Sequence, residues 1–396
     1  MSQPLMSERR VALIGGLMTA IGPVSMALYT PAMPAIVQAF GSSEAAVKMT
    51  LTLYFGGFAT GQLVAGPLSD ALGRRSVTFG FMAIYCLGSV FALLASGVGA
   101  LMLARFVQGV GASAGVAISR ALVRDLFRGE QSSRIMNLIG IVLAAGPAVA
   151  PTIGGLVLAV AGWRAIFAVM VGFGAAVVLA AALAMRETIV PDSRRLRPGA
   201  VARAYLTVLS EPRFLVAAGI IASTVGALYA QATFLPFVLM SRVGLSPTAF
   251  GLGMLFQSGS FFLGALATRA LIDRVGAERL VTPGLGFVAA GGLALTALNV
   301  TAPSFLGVMG PVALAAFGIA LLMPATTTAA LAPFPANAGA AAAMMGFLQL
   351  GLGLAVGSLG AALGDPVRAM AVLIPAMGAC ACLLHLLGRR RSGVSP

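Results

Sequence analysis

The chain has 396 residues, of which 59% are hydrophobic and only 9% charged, with a formal net charge of +14. So few charges cannot cover a surface that meets water on every side, which excludes an ordinary soluble domain and leaves a lipid bilayer as the solvent. The positive excess does not point to nucleic acid, because no basic stretch is interleaved with base-stacking aromatics and the arginines gather in short turns between apolar runs.

A helix needs roughly 20 apolar residues to cross about 30 Å of hydrocarbon. Runs of that size lie at 11–37, 47–65, 77–94, 100–122, 135–158 and 165–185. After a polar stretch they resume at 214–239, 248–268, 280–299, 304–329, 339–362 and 367–387. A barrel is excluded, since segments such as 176–184 show no alternation. The expected fold is an all-α membrane protein of twelve transmembrane helices in two pseudo-symmetric six-helix bundles. Residues 1–185 form the N-terminal bundle, 186–213 a cytoplasmic linker and 214–396 the C-terminal bundle. The first run is too long for a signal-peptide core and has no small-residue cleavage site, so it is expected to stay as the first span. Both termini are placed in the cytoplasm: this gathers most arginines inside and leaves Lys48, Arg164, Arg242 and Arg368 outside. Anionic lipid headgroups are the expected partners of the inside charge.

Along the chain, Tyr29 places a polar tip at mid-depth in the first run. Residues 66–75 then read as a tight, charged turn between the second and third runs. Gly66 and Gly73 permit a sharp reversal, while Asp70, with Arg74 four residues on and Arg75, supplies charges that pair in one conformation and separate in another; Arg124-Asp125 ends the fourth run on the same expected side. Arg105, near Gln108 in the fourth run, is the one charge deep inside a span. An embedded arginine costs several kcal/mol unless it faces water, a polar partner or a ligand, so it is placed on a central cavity, where its planar donors can hold a nitro, carbonyl or carboxylate oxygen. The other reading is a guanidinium bonded to backbone carbonyls that only joins helices. In the fifth run Gly146, Pro147, Pro151, Gly154 and Gly155 thin and bend the helix and form a candidate hinge.

Val201, Tyr205, Val208 and Leu209 recur at helical spacing in the linker, which either lies along the membrane surface or is a disordered tether. Asn137, Gln231, Phe234, Gln257, Met345 and Gln349 join Tyr29, Gln108 and Arg105 as candidate cavity residues, a mixture of polar tips and adaptable apolar surface that suits amphipathic ligands. Each of the uncharged ones also reads as a plain helix contact. All 11 acids fall in loops or at helix ends, so a cavity with a buried arginine and no carboxylate favours neutral, zwitterionic or anionic compounds over lipophilic cations. Three cysteines within spans and one helix-end histidine, His385, offer neither a metal cluster nor a nucleophile and base; no catalytic residue, metal or cofactor is expected. Asp70 and Gly73 have counterparts in Asp273 and Gly276, both displaced by 203 positions, and Pro34 and Pro236 differ by 202, as in bundles made by duplication.

Twelve spans, a central basic loop and the 66–75 turn together resemble the major facilitator superfamily over nearly the whole chain. Residues 103–111, Leu-Ala-Arg-Phe-Val-Gln-Gly-Val-Gly, resemble its fourth-helix pattern, and 140–155, with Gly146-Pro147 and Ala150-Pro151, resemble the fifth-helix pattern of its drug/proton antiporters. Residues 162–167, Gly-Trp-Arg-Ala-Ile-Phe, and 28–34, Leu-Tyr-Thr-Pro-Ala-Met-Pro, are similar to the bicyclomycin and chloramphenicol resistance subgroup, except that Ala27 stands where that subgroup carries an aspartate. The resemblance implies a monomeric exporter of the bacterial inner membrane that works by alternating access. It implies antiport of protons against a small amphipathic drug, neutral or anionic, such as a phenicol or bicyclomycin. It also implies that Asp70 faces the N-terminus of the eleventh helix and that Arg74 pairs with Asp125 when the cytoplasmic side is closed. The alternative cargo is an endogenous metabolite: an amino acid derivative, a sugar or a secondary product. A channel is a further reading, although two related halves suit rocking better than a fixed pore.

Overall fold

The computed structural model describes residues 5–192, 198–335 and 337–391, and among them the regular structure is helical throughout. The N-terminal half comprises α1 (Glu8–Tyr29), which continues through a 3-10 turn into α2 (Met33–Phe40), then α3 (Glu44–Leu72), α4 (Arg74–Leu93), α5 (Val98–Ala112), α6 (Ala114–Leu126) and α7 (Gly129–Ala184). After α8 (Pro198–Leu209) come α9 (Pro212–Pro236), α10 (Pro247–Val275), α11 (Val281–Leu295), α12 (Phe305–Leu331), α13 (Ala338–Ala362) and α14 (Pro366–Arg391).

Among the described residues ten continuous helical stretches are long and apolar enough to cross a membrane. One of them, α7, runs for 56 residues and is two crossings, because Gly162 takes φ 76° and ψ 176° and breaks the helix there. The remaining span is α3, which is absent from the ten. It carries Lys48, Thr50, Thr52 and Tyr54, all buried against other helices rather than presented to lipid. That brings the crossings to twelve, with α1 starting and α14 ending on the same basic end of the bundle, where Arg134 lies 3.5 Å from Glu8.

Residues 66–75 differ from their expected form. α3 does not stop at 65 but runs through Gly66, Pro67 and Asp70 to Leu72, and the reversal is confined to Gly73 at φ 97°. A helix leaving the apolar layer still satisfies its backbone, so charge alone does not end it; the left-handed conformation of Gly73 does. Pro67 has no N–H to return to the carbonyl one turn back. That carbonyl, on Leu63, instead accepts a 2.6 Å hydrogen bond from the Tyr205 hydroxyl of α8. Burial pushes the Tyr205 phenol up, which keeps it a donor. α8 packs on α9 and α13 with Val208 buried, so this part of the linker is an ordered helix, while 193–197, with Arg194, Arg195 and Arg197, lie outside the described residues.

The N-terminal half shares one large apolar cluster, including Met18, Phe55, Phe81, Ile118 and Phe167. The C-terminal half has two, one around Phe214, Ile221 and Leu322 and one around Phe234, Phe250 and Val312. The halves meet where α3 runs along α13 and α7 against α10. The internal repeat extends into backbone geometry. Gly73 and Gly276 have matching conformations (φ 97°, ψ 145° and φ 83°, ψ 149°). Ser43 and Ser246 cap α3 and α10 alike, each hydroxyl accepting an amide 3.1 Å away, from Ala46 and Ala249.

Candidate functional site

Four helices converge on Arg105. Gly109 of α5 lies against the Tyr54 carbonyl of α3, and Gly57 against the Phe106 carbonyl, so the two backbones touch and no side chain separates them. That approach brings the Tyr54 ring to 4.3 Å from the guanidinium carbon; the Tyr29 ring covers it at 4.4 Å. Both distances fit cation–π stacking. Arg105 Nη1 donates to Gln108 Oε1, one turn along α5. The Gln108 amide donates to Ser89 Oγ of α4 at 2.7 Å and to the Met170 sulfur at 3.2 Å. The phenols around the cluster are themselves anchored, Tyr29 to Thr50 and Tyr85 to Ser25 at 2.6 Å each, and Tyr54 to the Gly22 carbonyl at 2.9 Å.

Arg105, Tyr29 and Gln108 are thus brought together, but all three have 0% exposure. This corrects the expectation that Arg105 faces a central cavity: in this conformation it is enclosed within the N-terminal half, because glycine-lined crossings let α3, α4 and α5 close around it. Among the described residues it is not bonded to backbone carbonyls either. Two of its nitrogens, Nε and Nη2, have no partner among the described residues. What the arrangement can do is hold a cation in an aromatic box with two donor directions left open to an acceptor.

The remaining cavity candidates are more scattered. Gln231 donates to Gln257 at 3.5 Å, joining α9 to α10. Phe234 and Met345 are buried in different apolar clusters, Gln349 is half-buried, and Asn137 is exposed on α7. Across the junction of the halves, the Phe55 and Tyr229 rings lie 5.5 Å apart, and Gly346 of α13 makes room for the Gln62 side chain. Two described cavities lie elsewhere. One of about 720 Å³ sits at the basic end beside Arg203, Thr207 and Asn337, and one of about 350 Å³ lies among Phe256, Phe287 and Phe317.

At the basic end Arg74 gathers the expected gating charges. It pairs with Asp70, its Nε lies 3.1 Å from Asp125 Oδ2, and Nη1 donates to Ser69 at 2.7 Å. All of these partners belong to the N-terminal half, and Asp70 is 46% exposed. Sequence reasoning missed Glu187, whose two carboxylate oxygens accept the Arg74 and Arg75 amides at 2.8 and 3.1 Å and so cap α4. Its oxygens also press close to Gly73, where a Cβ would meet them at 2.5 Å. Thr188 extends the cluster by donating to Asp125 at 3.0 Å. Nothing in linear spacing ties 187 to 74; the only signal is an acid just beyond the last span of the half. Of the hinge candidates, Gly154 closes on the Leu28 carbonyl of α1 and its neighbour Gly155 on the Pro247 carbonyl of α10, while Gly146 meets Val24. Pro147 and Pro151 lie inside α7.

Comparison with known proteins gives a consistent picture. The sequence pattern of the Major Facilitator Superfamily matches residues 13–361. An uncharacterized MFS-type transporter, YdgK, of Bacillus subtilis is 31% identical over 88% of this chain and 88% of its own length. A chloramphenicol resistance protein of Pseudomonas aeruginosa is 31% identical over 86% of this chain and 80% of its own. Among solved structures, a partially occluded inward-open form of the xylose transporter XylE from E. coli superposes with a TM-score of 0.70 at 14% identity, over 95% of this chain and 96% of that one.

Proposed function

The chain belongs to the Major Facilitator Superfamily, and from that membership we propose that it is a drug exporter of the bacterial inner membrane, exchanging protons for neutral or anionic amphipathic compounds such as phenicols or bicyclomycin. The basic end, with both termini, faces the cytoplasm. The two halves rock about their shared interface as a monomer, and Asp70, Arg74 and Asp125 gate the cytoplasmic mouth.

The observation that carries this reading is where the halves touch. At the end away from the termini, Thr152 donates to the Gly251 carbonyl at 3.0 Å and Lys48 to the Gly364 carbonyl at 3.2 Å, both across the two halves. At the basic end, by contrast, Arg74 spends its bonds within its own half. The outer end is thus tied across the halves by side-chain hydrogen bonds, while at the basic end the Arg74 cluster holds to its own half and the linker helix is tied to α3 by the Tyr205–Leu63 hydrogen bond. A shut outer end is expected of an exporter that takes its cargo from the cytoplasm. The chloramphenicol resistance relative supports the cargo class. So does the absence of any fully buried Asp or Glu among the described residues, which leaves no carboxylate at mid-depth to hold a lipophilic cation.

Expression in an efflux-deficient bacterium tests it. Phenicols or bicyclomycin are expected to be tolerated at higher concentration while cationic dyes are not. Dye tolerance without phenicol tolerance would overturn the charge preference. Coupling is read separately, as proton release from the purified protein on addition of a phenicol.

A further inference from the structure

Charges at the end away from the termini were legible in sequence only as topology markers, yet three of them meet across the junction of the halves. Glu44, at the start of α3, lies 3.8 Å from Lys48 on its own helix and 3.5 Å from Arg242, which follows α9 in the other half. Lys48 has 0% exposure and donates to the carbonyl of Gly364, the residue that turns the chain out of α13 at φ 77°. It also lies 5.3 Å above the Phe237 ring, again from the other half. A lysine from one half therefore docks on the C-terminus of a helix in the other, where the last carbonyls attract a cation. Glu44 stands between two cations contributed by opposite halves.

We infer that Glu44 is the keystone of an outer latch: its carboxylate, set between Lys48 of the N-terminal half and Arg242 of the C-terminal half, holds the outer mouth shut, and its loss of charge or of contact frees the halves to part. The sign follows from the pairing. Without the acid, Lys48 and Arg242 face each other across the junction with only the weaker attraction of Asp365 for Lys48 left to offset them, which disfavours the closed mouth. The internal repeat supplies no second copy. Displaced by 203 positions, Glu44 and Lys48 correspond to Pro247 and Gly251, which sit at the α7–α10 crossing and make close backbone contact instead. One interface is thus closed by charge and its pseudo-symmetric partner by packing. The inference rests on the exporter reading only for the direction in which the mouth opens.

The test needs no drug. With the native cysteines replaced, spin labels at Ser96 and Thr301, in loops of the two halves at this end, report the width of the outer mouth in lipid nanodiscs. Glu44→Gln is expected to raise the ratio of wide to narrow separations about tenfold, the loss of one partly buried charge contact. Glu44→Asp should stay near the parent protein, and Glu44→Gln with Arg242→Gln should move back towards it, since the facing cation is gone. An unchanged distribution in Glu44→Gln would overturn the latch, as would a double variant as wide as the single one. A shifted distribution in a protein that raises tolerance to none of the drugs tested would sink the exporter reading and leave the latch standing.

Discussion

Arg105 is a complete positive charge shut away from solvent, with two of its nitrogens unpartnered and no buried acid among the described residues to balance it. Stacking on Tyr29 and Tyr54 returns about 0.5 to 2 kcal/mol for each ring, which offsets only part of the several kcal/mol that a cation costs at mid-membrane. Packing alone would be better served by an apolar side chain of the same size. Arg105→Met is therefore expected to melt within about 1 kcal/mol of the parent protein, or above it. The same variant should lose transport in proteoliposomes; a fall in the melt of several kcal/mol with transport intact would make the residue structural. The exceptional charge was visible in the sequence because it interrupts an apolar run. Its setting was not, since Tyr54 reaches it through the α3–α5 crossing at Gly57 and Gly109 while Tyr29 and Met170 come from α1 and α7, and no spacing rule relates residues on four different helices. For that reason the cavity role expected of Arg105, Tyr29 and Gln108 gave way to enclosure.

Helices announce themselves in this chain through apolar length, and the one that fails that measure is instructive. α3 turns its polar residues inward, towards other helices, so hydropathy understates it, whereas its extension beyond residue 65 could not be seen because Gly, Pro, Ser and Asp usually mark a turn. The Gly162 break was legible as a short punctuation between two runs, and its left-handed backbone explains why glycine stands there. Adjacent glycines in α7 divide their work, Gly154 admitting α1 and Gly155 admitting α10. A side chain at 155 must push α10 away, because the obstacle is backbone. Gly155→Leu is expected to destabilise the fold by about 1 to 3 kcal/mol, the usual scale of overpacking. Transport should fall with it, and Gly172→Leu, at an open position in the second crossing of α7, serves as the control in both the thermal melt and the transport assay.

Over the whole molecule, duplication was readable from a handful of matched positions, and the structure extends it to Gly41 and Gly244, both left-handed and again 203 apart. What the matches could not reveal is where the copies diverge, since Pro247 and Gly251 resemble nothing in Glu44 and Lys48 until their neighbours are known. The linker adds a second asymmetry: α8 belongs with the C-terminal half but bonds to α3 through the carbonyl that Pro67 leaves free. Tyr205→Phe is expected to remove about 1 kcal/mol from that tie, read as faster amide hydrogen exchange in α8 with the transmembrane core unchanged. The glycine contact between α7 and α10 has a mechanical corollary. Gly251 lies near the outer end of α10, so the length from there to Val275 is a lever arm of about 36 Å at 1.5 Å per residue. Tilting that arm by about 10° sweeps its inner tip through roughly 6 Å, so a small rotation at the fulcrum is geared up into an aperture the width of an aromatic ring.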